Sequence, residues 1–251
     1  MEAPRQDLNA LAAQLAELRA AHDALLHAVS HDLRAPLRHI TSFAPLLRES
    51  VQALVDQGGA NGASADAQEA AQFLATMEQA ARRMGRMIDA LLAIARATRA
   101  PLQLEPVDLA ALAAEVRDAL PAAGRAVDWQ WPAAPVHVRA DAVLLRQLLT
   151  ELLGNALKFT QGRAPARIAL AAQALPGSGL CWRVEDNGAG FDPARAQALF
   201  GVFQRMHRES EFDGVGGGLA LARAIVQRHG GTIGATARLG AGCVVSVDWP
   251  G

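Results

Sequence analysis

Three stretches in the first hundred residues carry apolar side chains at alternating steps of three and four. Leu8, Leu11, Leu15, Leu18, His22, Leu25 and Val29 make the first stretch. Leu33, Leu37, Ile40, Ala44, Leu47, Val51 and Leu54 make the second, and Leu74, Met77, Ala81, Met84, Ile88, Leu91 and Ala95 the third. This spacing is the a/d seam of helices that pack along their length. The steps from Leu25 to Val29 and from Val29 to Leu33 are both four, a stutter that locally unwinds a supercoil. Residues 57–65 (QGGANGASA) read as a flexible turn, and a second long helix is predicted from about Asp66 to Arg99. A two-helix hairpin with narrow apolar stripes cannot bury both by itself. A dimer that closes a four-helix bundle can.

Pro101 and Pro106 mark a linker, after which the pattern changes. Helices are predicted over 108–119, 141–159, 193–200 and about 217–229, and strands over 136–139, 166–175, 179–186, 231–238 and 242–249. Helices and strands mixed in this way predict an α/β layer domain. The domains expected are therefore a coiled-coil signalling helix over 1–25, a helical hairpin over 26–99 and an α/β domain over 100–251.

Composition narrows the setting. The formal net charge is −1, so no basic excess points to nucleic acid. No apolar run reaches the roughly 20 residues that a membrane helix needs, and no signal peptide opens the chain, so a cytoplasmic location is expected. Cys181 and Cys243 sit in apolar, strand-like surroundings and read as core residues of a reduced compartment. Alanine is abundant and arginine almost replaces lysine, as in a GC-rich genome. Lys158 is the only lysine in the chain, which calls for a reason specific to its site.

Four segments carry chemistry. In SHDLRAPL, Ser30–Leu37, His31 lies two residues from both Val29 and Leu33, about 200° around the helix from each seam position. It therefore faces solvent. Pro36 cannot supply the N–H that would bond the carbonyl of Asp32, which loosens the helix at the His–Asp pair. A nucleophilic histidine needs a carboxylate to accept its ring proton. In ELLGNALKFT, Glu151, Asn155 and Lys158 fall on one helix face. A carboxylate and an amide oxygen suit Mg2+, and the ammonium suits a phosphate. In EDNGAGF, Asp186 can accept a hydrogen bond from an exocyclic amine, and Gly188 and Gly190 admit a flat ring close to the backbone. In GVGGGLALARAIVQRHGG, a glycine cluster opens a helix whose N–H groups can cradle phosphate. Taken singly, each segment also reads as an ordinary solvated face or turn.

In this order, the four segments resemble those of the sensor histidine kinases. SHDLRAPL resembles the phospho-acceptor box, ELLGNALKFT the N box, and EDNGAGF and GVGGGLAL the two glycine boxes. Phe200-Gly201-Val202-Phe203 with Gln204-Arg205 resembles the phenylalanine box of the ATP lid, and GAGCVVSVDWP the family's last strand. The combination of SHDLRAPLRHI with FQRMHRESEFDGVGGGLALARAIVQRHGG is similar to the phytochrome-like branch. The resemblance implies an α plus α/β architecture. A dimeric helical hairpin forms a four-helix bundle, and an α/β sandwich ATP-binding domain of the gyrase, Hsp90 and histidine-kinase type follows it.

The resemblance also implies roles. His31 becomes the phosphorylated nucleophile and Asp32 its base. Asn155 becomes the Mg2+ ligand, with Glu151 supporting the metal's waters. Lys158 and Arg205 would touch phosphates, and Asp186 would read the adenine amine. Phe203 and Gly188, Gly190, Gly214, Gly216 and Gly218 would shape the ATP pocket and hinge its lid. The implied partners are a second copy of the chain, a response regulator receiver domain in trans, and an upstream sensor domain.

Two departures qualify this picture. Ala35 stands where many members carry Thr or Asn to position water for removing phosphate from the regulator, so a weak phosphatase is expected. Val215 replaces a common Thr, which removes a hydroxyl near the phosphates. Two other classes compete with the kinase. A silent dimeric scaffold would show damage at Asn155, Asp186 or the glycines. A gyrase-like or Hsp90-like ATPase would not place His31, Asp32 and Pro36 on a dimerising helix.

Overall fold

The computed structural model describes residue 34 and residues 37–53, 65–99, 101–121, 124–175, 179–208 and 210–251. The N-terminal seam, the stutter, most of the 57–65 turn, and His31, Asp32, Ala35 and Pro36 lie outside the described residues. The chain divides into two compact units, Met1–Leu92 and Ala93–Gly251.

The first unit holds α1, over residues 37–53, and α2, over Ala65–Ala97, as far as Leu92. Arg34 pairs with Asp89 at 2.7 Å and Arg48 with Glu78 at 3.4 Å, so the helices run antiparallel. Leu37, Ala81, Ile88 and Leu92 form the buried cluster between them. Four of the seam positions, Ile40, Leu47, Met77 and Met84, stay exposed, together with Phe43, Leu46 and Phe73. Two helices can turn only one stripe toward each other, so an apolar face is left over. Glu78 is buried in this pair, and its Oε2 accepts from Arg48 and, at 3.1 Å, from Arg82 one turn on.

The second unit is a sheet covered by helices. Its elements are β1 (Glu105–Asp108), α3 (Leu109–Ala119), β2 (Val127–Gln130), β3 (His137–Ala140), α4 (Ala142–Phe159), β4 (Ala166–Ala174) and β5 (Leu180–Asp186). A 3-10 helix over Pro193–Ala198, α5 (Gly218–Arg228), β6 (Thr232–Arg238) and β7 (Gly242–Trp249) follow. Five strands form one sheet in the order β2-β4-β5-β7-β6, with β2 parallel to β4 and the other neighbours antiparallel. β1 and β3 form a separate antiparallel pair.

Three expectations are corrected here. Pro106 lies inside β1 rather than in a linker, tolerated because β1 pairs on one side only. β2 was not expected, since four residues at a sheet edge give almost no alternation to read. The segment expected as a helix over 193–200 is a six-residue 3-10 helix.

The core lies between one sheet face and the helices. Ile168 and Leu170 on β4, Trp182 and Val184 on β5, and Val247 and Trp249 on β7 alternate inward. Leu145, Leu148, Leu149, Leu152 and Leu153 of α4 and Ile225 and Val226 of α5 meet them. Both long helices that start at an aspartate are capped by it: Asp108 accepts from the N–H groups of Ala110 and Ala111, and Asp141 from those of Val143 and Leu144.

His229 joins the ends of two helices. Its Nε2 accepts from the backbone N–H of Asp141 at 3.0 Å, and its Nδ1 lies 2.8 Å from the Ile225 carbonyl. Its ring lies 4.6 Å from that of Trp249. With a backbone N–H on Nε2, the proton sits on Nδ1 and the ring is neutral. Burial, the dominant effect, holds its pKa below the ordinary 6.5. The unfolded chain therefore takes up the proton first, and stability is lost as pH falls below about 6.5. Thermal melts between about pH 7.5 and about pH 5.5 should show a smaller pH dependence for His229→Gln than for the wild type. Equal slopes would contradict this role.

Candidate functional site

The inward face of the sheet is apolar until its last row. Ile168, Asp186 and Cys243 stand in register across β4, β5 and β7, one step beyond Leu170, Val184 and Val245. Asp186 thus ends a dry face with a charge. Burial raises its pKa to about 6, opposed by hydrogen bonds from the N–H groups of Gly188, at 2.8 Å, and Cys243. Beside it, burial and then the Asp186 charge push the Cys243 thiol up to about 12, so it stays protonated and unreactive.

α4 contributes the opposite wall. Leu152, Leu153, Ala156 and Leu157 are buried in the core, while Glu151, Asn155 and Lys158 are half-buried on the other face. Burial raises the pKa of Glu151, and the Lys158 charge opposes the rise. Burial also lowers the pKa of Lys158, followed by the Arg205 charge, while Glu151 and Asp213 act to raise it. The C-terminal end of α4 is pinned. Thr160 Oγ1 donates to the Ala156 and Leu157 carbonyls, and Arg125 donates to those of Thr160 and Leu157.

α5 supplies the third side. Its N-cap is Gly217, with no side-chain cap. A Cβ on Gly218 would stand 2.0 Å from Glu151 Oε2, so the first turn of α5 lies against that carboxylate.

Between the 3-10 helix and α5 runs a long loop, the segment expected to be the lid. Phe203 takes a left-handed conformation, φ 61°, and its N–H donates to the Gly216 carbonyl at 2.9 Å, closing the base of the loop. Arg205 donates to the Gly214 carbonyl and, at 2.7 Å, to that of Phe212. Its guanidinium therefore braces the lid in this structure. The rings of Phe159, His207 and Phe212 pack together at centroid distances of 5.0 to 5.4 Å.

The glycines have internal reasons to be glycine. A Cβ at Gly188 would lie 2.5 Å from the Phe159 carbonyl oxygen, and one at Gly190, φ 61°, 2.1 Å from that of Arg238. At Gly216, φ 79°, it would meet the Gln204 carbonyl oxygen at 2.5 Å. Gly214, φ 132°, lies over Lys158. The structure thus brings Glu151, Asn155, Lys158, Asp186, Phe203, Arg205 and the five glycines into one unit. His31 and Asp32 belong to the undescribed segment. The sequence reading takes Cys243 for a core residue and not for a neighbour of Asp186, and it does not single out the three-ring cluster. Cys243 was readable from the period-two alternation of β7 set against Asp186. The ring cluster joins residues about 50 positions apart and left no local signal.

This arrangement matches known proteins over both units. Residues 140–251 match the family of histidine kinase-, DNA gyrase B- and HSP90-like ATPases, and residues 21–100 match the His Kinase A phospho-acceptor domain. The methanogenesis regulatory histidine kinase FilI of Methanothrix harundinacea is 30% identical over 234 residues, 90% of this chain and 24% of its own length. Cyanobacterial phytochrome A of Nostoc sp. is 31% identical over 221 residues, 86% of this chain and 27% of its own length. The crystal structure of full-length ShkA in complex with AMPPNP superposes with a TM-score of 0.60 at 26% identity, covering 90% of this chain and 45% of that one. The chain belongs to the sensor histidine kinases, with a phospho-acceptor domain ahead of a histidine-kinase-type ATPase domain. It spans about a quarter of the length of these curated relatives. Among the described residues, no helix is long and apolar enough to cross a membrane.

The raised pKa of Asp186 has a consequence for stability. Its folded value, about 6, lies above the ordinary 3.8, so its contribution is full below about pH 4 and is lost as pH rises through 6. Asn at this position keeps the oxygen that accepts from Gly188 and removes the buried charge. Asp186→Asn should therefore stabilise the ligand-free protein at pH 7.5 by about 1–2 kcal/mol, after discounting for partial exposure. Chemical denaturation at pH 7.5 and pH 4 checks this, since the gain should shrink at the lower pH.

Proposed function

We propose that this chain is the kinase portion of a two-component sensor, binding Mg·ATP and phosphorylating its own His31. The observation that carries the reading is the half-buried Asp186 carboxylate at the end of the sheet's apolar inward face, in the same unit as the polar side of α4. The Gly188 and Cys243 N–H groups return part of the hydrogen bonding that burial removes, and the exocyclic amine of adenine would supply a further donor. From that anchor the phosphates extend toward Lys158 and the uncapped start of α5, where charge and backbone N–H groups suit them.

The residues on α4 fit a divalent cation. Asn155 offers an amide oxygen and Glu151 a desolvated carboxylate, a hard donor set that leaves room for waters and phosphate oxygens. When bound, Mg2+ would neutralise charge on the phosphates. Asn155 would hold it directly, and Glu151 would orient its waters. Lys158 would hold phosphate as a point charge.

The chemical step is phosphoryl transfer. The neutral ring of His31 attacks the γ-phosphorus as the bond to the ADP oxygen breaks, and Asp32 accepts the ring proton. Phosphohistidine then gives its phosphoryl group to an aspartate of a response regulator in trans. The exposed apolar face of the hairpin, Ile40, Phe43, Leu47, Met77 and Met84, supports a homodimer closing a four-helix bundle. An upstream sensor domain on a cytoplasmic protein completes the reading. We place its domains at 1–25, 26–99 and 100–251.

Incubation with γ-labelled ATP tests this. The wild type should take up acid-labile, base-stable label. His31→Gln should take up none while still binding ATP, and undiminished labelling of that variant would sink the assignment. Asn155→Asp should abolish labelling and leave the dimer intact. Asp186→Asn should weaken ATP binding by roughly ten-fold or more, the cost of a hydrogen bond to a charged group.

A further inference from the structure

The lid meets α4 through two consecutive pairs of residues. On α4 these are Lys158 and Phe159, and on the lid Phe212 and Asp213. Phe212 packs edge-on against Phe159 at 5.0 Å, with His207 completing the cluster. Lys158 Nζ lies 4.5 Å from the centre of the Phe159 ring and 3.4 Å from the point where a Cβ on Gly214 would stand. Asp213 Oδ1 accepts from the Gly214 N–H at 2.7 Å, which ties its carboxylate to the backbone of the residue that lies over the ammonium.

We infer that Asp213 is a built-in stand-in for nucleotide phosphate, held beside Lys158 by the docking of Phe212 on Phe159. This rests on the reading of Lys158 as a phosphate-binding group. A half-buried ammonium needs a counter-charge. The charges acting favourably on it are those of Glu151 and Asp213, and Arg205 acts against it. Glu151 is committed to the first turn of α5, whereas Asp213 is on a loop and exposed. An incoming phosphate bears the same charge as Asp213 and seeks the same ammonium, so the two compete. Phe212 and Asp213 move together, so phosphate that displaces the carboxylate also loosens the aromatic contact. The lid is thereby sensitive to phosphate rather than to adenine. Asp213 is a positioning and specificity residue, acting through Lys158.

Calorimetry on the full chain with Mg·ATP, Mg·ADP and adenosine tests this. Asp213→Asn should tighten ATP binding by about two- to five-fold, the range expected for one exposed, partly screened charge. ADP should gain less and adenosine nothing. Asp213→Glu keeps the charge and should behave as the wild type. An ATP affinity for Asp213→Asn that is unchanged or weaker, or an equal gain for adenosine, overturns the inference. Failure of the wild type to bind ATP would overturn the proposed function instead, so the two failures are distinct.

Discussion

Burial of the leucine face of α4 against the sheet is the interaction on which the rest of the second unit depends. Leu145, Leu148, Leu149, Leu152 and Leu153 are almost inaccessible to solvent. Each such side chain contributes about 1.5–3 kcal/mol of burial, so the helix has little freedom to rotate. Its other face carries Glu151, Asn155 and Lys158, whose directions are therefore set by the core and not by any ligand. Thr160 and Arg125 fix the C-terminal end of the same helix, next to Lys158 and Phe159. A change in the core under α4 would move all three polar groups at once.

The site stands where that dry core ends. Asp186 and Glu151 are both carboxylates whose pKa burial raises, and Lys158 is an ammonium whose pKa burial lowers. Each would be cheaper as a neutral group. The fold tolerates them because the scaffold around them is over-determined by packing, caps and the His229 link between α4 and α5. Unfavourable charge in an apolar setting is a recognised mark of a functional site.

Much of this was legible in the sequence, because long periodic segments carry their own evidence. Helix α2 and strands β4 to β7 follow from periods of 3.6 and 2 over seven or more residues. β1 and β2 were hidden by their four-residue length, and Pro106 pointed the wrong way. Within the site, residue types at short spacing on one element were readable, as with Glu151, Asn155 and Lys158. Contacts made across the fold were not. The resemblance makes Arg205 a phosphate-binding residue, and the structure has its guanidinium donating to the Gly214 and Phe212 carbonyls. Gly188 and Gly190 read as room for a ligand, yet the backbone of Phe159 and Arg238 occupies the space where their side chains would be.

The lone lysine gives the molecule an unusual chemical address. Its ammonium loses a proton more readily than an ordinary lysine because burial disfavours the charge. Apart from the chain's own amino terminus, it is the only primary amine in the protein. An acylating or reductively alkylating reagent therefore finds two amines on this chain, the amino terminus and the one near Gly214. Label taken up beyond the one equivalent at the amino terminus would report on this pocket, whereas in most proteins such labelling scatters over the whole exterior.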